Sequence, residues 1–301
     1  MSEVDLPPAA GARRRRRRGF APRYSGWLTL PALLYFTVFF LGPMAVLVVF
    51  AFARQSLTTF GAIDYGFHTE TFNGVFDSLY YTVFWHTLIM AGAGTCVTIL
   101  FGYPLAYWMA RYLTTRKSLA LLAIVIPYWT SFLIRTYSWL VILDPQGFLA
   151  RGLRFVGLVG QFNVLFTWKA IGIGLVYNYL PLLVLPVYAS LERMDWSLVE
   201  AATDLGATPT RAFRQVTLRL TLPGLITGTL LVFIPMCGEY VIPEILGGGN
   251  FQFVGSIIGS NFLDAQNQPF GSALSLALMG VLSAFVVLYI LVATREEQFG
   301  A

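Results

Sequence analysis

The stretch EAATDLGATPTRAFRQVTLRLTLP, Glu200 to Pro223, is a long polar interruption between two apolar runs. Asp195 is placed to N-cap a short helix of roughly ten residues carrying Leu198, Val199, Ala202 and Leu205 on its apolar side, and Gly206 supplies the stop. Thr208 followed by Pro209 then starts a second helix at once, with proline at the first helical position, where its missing N–H costs nothing. Arg211, Arg214 and Gln215 follow on the polar side. The spacing predicts a helix-turn-helix within residues 191–222, projecting from whatever the flanking apolar runs build.

Those runs build a membrane domain. The chain has 301 residues, 56% hydrophobic and 12% charged, about half the charged share of an ordinary soluble domain. Six stretches are long enough to cross a hydrocarbon core of about 30 Å at about 1.5 Å per residue: Trp27 to Ala53, Thr82 to Ala110, Ser118 to Leu143, Trp168 to Ser190, Leu222 to Ile245 and Gly271 to Thr294. Each proline inside them frees backbone groups that lipid cannot satisfy, so Pro127, Pro181, Pro186 and Pro235 are expected to face other helices or a wet cavity. Gly224 and Gly228 have the spacing that lets two helices approach closely. The expected fold class is an all-α polytopic membrane protein, with residues 1–24 a disordered basic arm and residues 25–301 the transmembrane domain.

The arm contains Arg13 to Arg18 and Arg23 without apolar periodicity. Beside a membrane span such a run is read as a cytoplasmic anchor attracted to anionic lipid, not as a nucleic-acid site. Lysine and arginine also gather in the Arg111 to Lys117 turn, the Glu200 loop and the tail with Arg295. By the positive-inside rule these segments and both termini are cytoplasmic. Asp144 to Thr167, broken by glycines and carrying Arg151 and Arg154, is expected to be an external amphipathic segment.

No glycine-rich stretch leads into Gly-Lys-Ser/Thr, and the two lysines, Lys117 and Lys169, follow Arg and Trp. His68 and His86 stand alone, and Cys96 and Cys237 both lie in apolar runs. No catalytic pair, metal cluster or cofactor is expected in this chain.

Within the polar loop, Glu200-Ala201-Ala202, Gly206 three residues on, and Val216-Thr217-Leu218 after nine more resemble the signature loop of the membrane subunits of ABC importers. Two further stretches are similar to the spermidine/putrescine permeases: PYWTSFLIRTYSW from Pro127 to Trp139, and GEYVIPEILGG from Gly238 to Gly248. The resemblance covers nearly all of the chain after the basic arm. It implies a type I importer permease in a bacterial inner membrane, in which Glu200, Ala201, Ala202, Asp204, Gly206, Arg211 and Arg214 couple to an ATP-hydrolysing partner that holds ATP and magnesium. A second permease subunit and an extracytoplasmic substrate-binding protein complete the assembly it implies. One departure stands out: the family pattern ends in Leu-Pro, whereas Leu218 is followed by Arg219 and the next proline is Pro223, which leaves open the angle at which the loop joins the next span.

The residues partly support a cationic solute. A carboxylate within a membrane helix costs about 2.5 to 3.5 kcal/mol on insertion scales, so Glu239 calls for a role. Tyr128, Trp129, Tyr137 and Tyr177 could hold ammonium groups on their ring faces. Equally, Arg135 and Glu239 each lie about 17 residues, roughly 25 Å, from the cytoplasmic start of an outward-running helix, which makes a structural ion pair between them an open alternative. Glu244 lies further out at the mouth. The rival classes are a permease for another small solute and a secondary transporter driven by an ion gradient. The latter would need acidic residues at mid-membrane, whereas these lie near the outer edge.

Overall fold

The computed structural model describes residues 25–56, 63–113, 115–157 and 162–298. The predicted basic arm, 1–24, lies outside them. Two compact units divide the chain, Met1–Val46 and Leu47–Ala301. In the first, the helix Ser25–Phe36 passes through a π-helical turn, Thr37–Leu41, across which Phe36 stacks on Phe40 and Tyr35 meets Phe39 at a tilt. The large apolar side chains from Leu30 to Leu41 are exposed, as lipid-facing residues are.

The second unit is built on three tightly packed helices: Ser78–Tyr112 (the second span), Trp168–Glu192 (the fourth) and Leu222–Cys237 (the fifth). Their shared core includes Leu183, Val184, Val187, Val232 and Met236, all fully buried. The close approach expected at Gly224 and Gly228 is real: a Cβ on Gly224 would lie 2.5 Å from Ser190 Cβ, and one on Gly228 3.0 Å from Leu183 Cδ1. A small second cluster gathers Ala51, Val75, Ala273 and Leu274. The sixth span lies in the helix Gln268–Gln298. A two-residue antiparallel ladder, Arg54 opposite Asp64 and Gln55 opposite Ile63, is the sole strand pairing among the described residues and the one departure from all-α.

Among the described residues, four helices are long and apolar enough to cross a membrane, and six spans result if each of two sharply bent helix pairs counts as one. The third span, expected as one helix from Ser118 to Leu143, is such a pair. Lys117–Trp129 and Phe132–Ile142 meet at 93°. Thr130 is extended and Ser131 is also non-helical, and the Pro127 carbonyl accepts from the Thr130 amide at 3.2 Å and from its hydroxyl at 2.6 Å, closing the first half. The fifth helix also ends early. Expected to run to Ile245, it stops at Cys237, two residues after Pro235, and a separate helix follows from Val241 to Gly247. Of the intrahelical prolines, Pro181 is buried and Pro186 packs beside Gly224, but Pro127 is exposed at the break. Within the amphipathic segment expected from Asp144 to Thr167, residues Phe148–Phe155 form a helix.

Candidate functional site

The polar loop folds as its capping signals dictate. The first helix is Ser197–Asp204, slightly shorter than expected, and the Asp195 carboxylate accepts from the Ser197 amide at 3.0 Å. That bond holds the Asp195 pKa below its ordinary value of 3.8. Gly206 adopts φ +86°, and the Gly206 and Ala207 amides donate to the Thr203 and Ala202 carbonyls at 2.9 and 3.0 Å, the paired bonds of a Schellman stop. Thr208 caps the second helix through the Arg211 amide at 3.4 Å. That helix runs from Pro209 to Leu220 with a π-helical turn at Phe213–Thr217, and it meets the fifth span at 68°. The bend falls at Thr221, beside Leu222-Pro223. The proline four residues later than the family position therefore coincides with the corner.

Residues not singled out from the sequence fasten this loop to the second span. Tyr103 and Thr221 share a buried hydroxyl–hydroxyl hydrogen bond of 2.8 Å. Tyr107 meets the Trp196 and Phe213 rings edge-on at 5.7 and 5.8 Å. The Arg111 guanidinium lies 4.8 Å from the Trp196 ring centroid and 3.6 Å from Glu200. The only sequence signal for this cluster is a pair of tyrosines and an arginine at i, i+4, i+8 along the second span, with nothing to say what they face.

The expected coupling residues fall into two groups. Glu200, Ala201 and Asp204 are exposed on the first loop helix, Ala202 closes its last turn, and Gly206 follows. The apolar side of that helix is only partly covered: Val199 and Ala202 are half-buried, while Leu198 and Leu205 are 48% and 89% exposed. Arg211 and Arg214 are elsewhere, lining a separate cavity with Thr208, Thr210, Gln215 and Arg219.

At the other end of the fifth helix, Glu239 makes contacts that neither expectation named. The carboxylate is buried, with Oε1 accepting from the Val241 amide at 3.0 Å and the Ile242 amide at 3.4 Å. Oε2 accepts from the Tyr179 hydroxyl. Glu239 therefore caps the Val241–Gly247 helix across the break, and the arrangement is wedged by Gly255, where a Cβ would lie 2.5 Å from the Gly238 carbonyl oxygen. The alternative Arg135–Glu239 ion pair is not formed. The Arg135 guanidinium lies 5.1 Å from the Tyr128 ring centroid and 5.9 Å from that of Phe132, and its Nε is buried without a hydrogen-bond partner.

Nor do the four candidate aromatics converge on one cage. Arg135 occupies a face of Tyr128 and Trp139 meets Tyr177 at 5.3 Å, while Trp129 and Tyr137 are exposed without a ring partner among the described residues. Glu244 is exposed on the Val241–Gly247 helix, and Tyr240, the residue just before that helix, is half-exposed.

Comparison with known proteins places this architecture. The family profile described as the binding-protein-dependent transport system inner membrane component matches residues 102–295. The spermidine/putrescine transport system permease protein PotB of Haemophilus influenzae is 37% identical over 265 residues, covering 87% of this chain and 92% of that protein. PotB of Escherichia coli is 33% identical over 265 residues, covering 88% and 93%. Among solved structures, a bacterial ABC transporter involved in the import of the acidic polysaccharide alginate aligns with a TM-score of 0.65 at 16% identity, over 90% of this chain and 95% of that one. At that identity the likeness speaks for the fold alone. With its bent spans, its capped polar loop and a profile match over most of its length, the chain belongs to the family of binding-protein-dependent transport system inner membrane components and is a permease subunit of an ABC importer.

Proposed function

We propose that this permease imports polyamines by alternating access, driven by ATP hydrolysis on partner subunits that dock on the first loop helix. The observation that carries the coupling half of the reading is the exposure of Leu198 and Leu205 on a helix rigidly capped at both ends. Apolar side chains held out on a fixed helix are the anchors a protein partner takes into a groove. Glu200 stands beside them, its carboxylate oriented by Arg111. The loop in turn is bolted to the second span through Trp196, Tyr107 and the Tyr103–Thr221 bond, a route by which movement of the partner reaches the membrane helices.

The substrate half rests on the relatives, named for spermidine and putrescine, and on two exposed groups near the Val241–Gly247 helix, the Glu244 carboxylate and the half-exposed Tyr240 ring. A carboxylate attracts ammonium groups electrostatically, and an aromatic ring does so through its quadrupole. The working assembly is this chain with a second permease subunit, ATP-binding subunits and an extracytoplasmic receptor, in an inner membrane with both termini cytoplasmic.

The test is co-purification of the ATPase with Leu198→Asp and Leu205→Asp variants, alongside uptake of labelled spermidine. Both positions are exposed, so the membrane part folds as before. Loss of the ATPase and of uptake together is expected; full retention of the ATPase in both variants refutes docking at this helix.

A further inference from the structure

The second loop helix carries a feature that docking does not use. Thr208, Thr210, Arg211, Arg214, Gln215 and Arg219 line a cavity of about 590 Å³. Three guanidiniums open into it, and among the described residues none has a carboxylate within 4.0 Å: the ion pairs there are Arg54–Glu70, Arg111–Glu200 and Lys117–Glu192. Like charges gathered in one concavity repel unless an anion offsets them. Every lining residue is polar or charged, with no large apolar side chain among them. A protein partner's footprint has an apolar centre, which the first loop helix offers and this cavity does not. Planar guanidiniums with hydroxyl and amide donors between them are the recognition set for phosphate oxygens.

Position selects the source of the phosphate. Arg219 lies just before the corner at Thr221, where the fifth span begins, and Arg211 is roughly 12 Å further along the helix at about 1.5 Å per residue. With Leu222–Cys237 crossing the bilayer, the 68° corner lays the Pro209–Leu220 helix toward the plane of the membrane surface. The three arginines then sit at the depth of the cytoplasmic headgroups, where anionic lipid attracts them. We infer that this cavity binds the phosphate headgroup of an anionic phospholipid. The inference goes beyond the docking reading and sets Arg211 and Arg214 apart from the ATPase surface.

The test uses the complete transporter in nanodiscs of phosphatidylcholine mixed with phosphatidylglycerol, with retained lipid and bound ATPase read in the same native mass spectra. Arg211→Gln, Arg214→Gln and Arg219→Gln are each expected to lower phosphatidylglycerol retention by about fivefold, with ATPase stoichiometry unchanged. The triple variant should retain least, and the triple Arg→Lys variant, which keeps the charge but not the fork, should fall between it and the parent. Unchanged lipid retention overturns the inference. Loss of the ATPase with lipid retained also overturns it, by making the cavity part of the protein interface. Displacement of the lipid by inorganic phosphate or glycerol phosphate would assign the site to a soluble anion instead. Should the triple Gln variant not fold, Arg219→Gln alone decides among the same outcomes.

Discussion

Tyr179 donates its hydroxyl hydrogen to Glu239, and the other oxygen of that carboxylate accepts from the Val241 and Ile242 amides. One residue thus closes the gap between two helices and ties it to the fourth span. A buried carboxylate with both oxygens engaged is satisfied internally, which is why it persists in a membrane without a cationic partner.

A double-mutant cycle separates this arrangement from an ion pair. Tyr179→Phe with Glu239→Gln should show a coupling of about 0.5 to 3 kcal/mol in denaturant unfolding, because each change removes the same bond. Arg135→Gln with Glu239→Gln should be additive within about 0.5 kcal/mol. A large coupling in the second cycle would restore the ion pair.

Gly206 has a positive φ and open space where a Cβ would project, so a substitution there strains the backbone without a steric clash. Gly206→Val should cost about 1 to 2 kcal/mol in the loop and weaken ATPase association, whereas Gly206→Asn, which tolerates the left-handed region, should keep most of it. Equal binding by the two variants would show that the turn does not orient the docking helix.

Glu244 is exposed on the Val241–Gly247 helix, which the proposed orientation puts at the outer mouth. Glu244→Gln should raise the half-saturation for spermidine uptake several-fold at low salt, and less at high salt, where the Debye length falls to about 3 Å at 1 M. Uptake is measured with the receptor present. Parent kinetics at both salt concentrations would remove Glu244 from the substrate path.

The Asp195 cap sets a pH window. Its folded-state pKa lies below 3.8 because the ionised carboxylate accepts from the Ser197 amide. The contribution is therefore present above pH 3.8 and is lost as pH falls through the depressed value. Amide exchange of the Ser197–Asp204 helix, corrected for intrinsic rates, should be level from about pH 7 to 5, and Asp195→Ala should raise it across that range. Loss of protection in the parent protein above pH 5 would refute the assignment.

Gly224→Ala should destabilise the pairing of the fourth and fifth spans by about 1 to 3 kcal/mol, since its Cβ would meet Ser190 Cβ at 2.5 Å and the Pro186 carbonyl at 2.7 Å. Gly280→Ala, with nothing within 4 Å, is the control and should be neutral or slightly stabilising. Equal thermal stability of the two would deny the close approach.

What the sequence determined by itself is what depends on local chemistry. Apolar length specified the spans, and Asp195, Gly206, Thr208 and Pro209 specified the loop helices, because caps and turns are satisfied by residues a few positions away. The motif at Glu200 was legible for the same reason. Tertiary structure alone decided the partners of buried groups. Equal depth along two ideal helices suggested Arg135 for Glu239, but both helices break, at Thr130-Ser131 and after Cys237, and the breaks rotate the side chains to other neighbours. The break itself created the need Glu239 fills, since a new helix N-terminus exposes amides that lipid cannot satisfy. Tyr103, Tyr107 and Trp196 were invisible as a loop anchor because the residues they join are over eighty positions apart in the chain, and only packing brings them together.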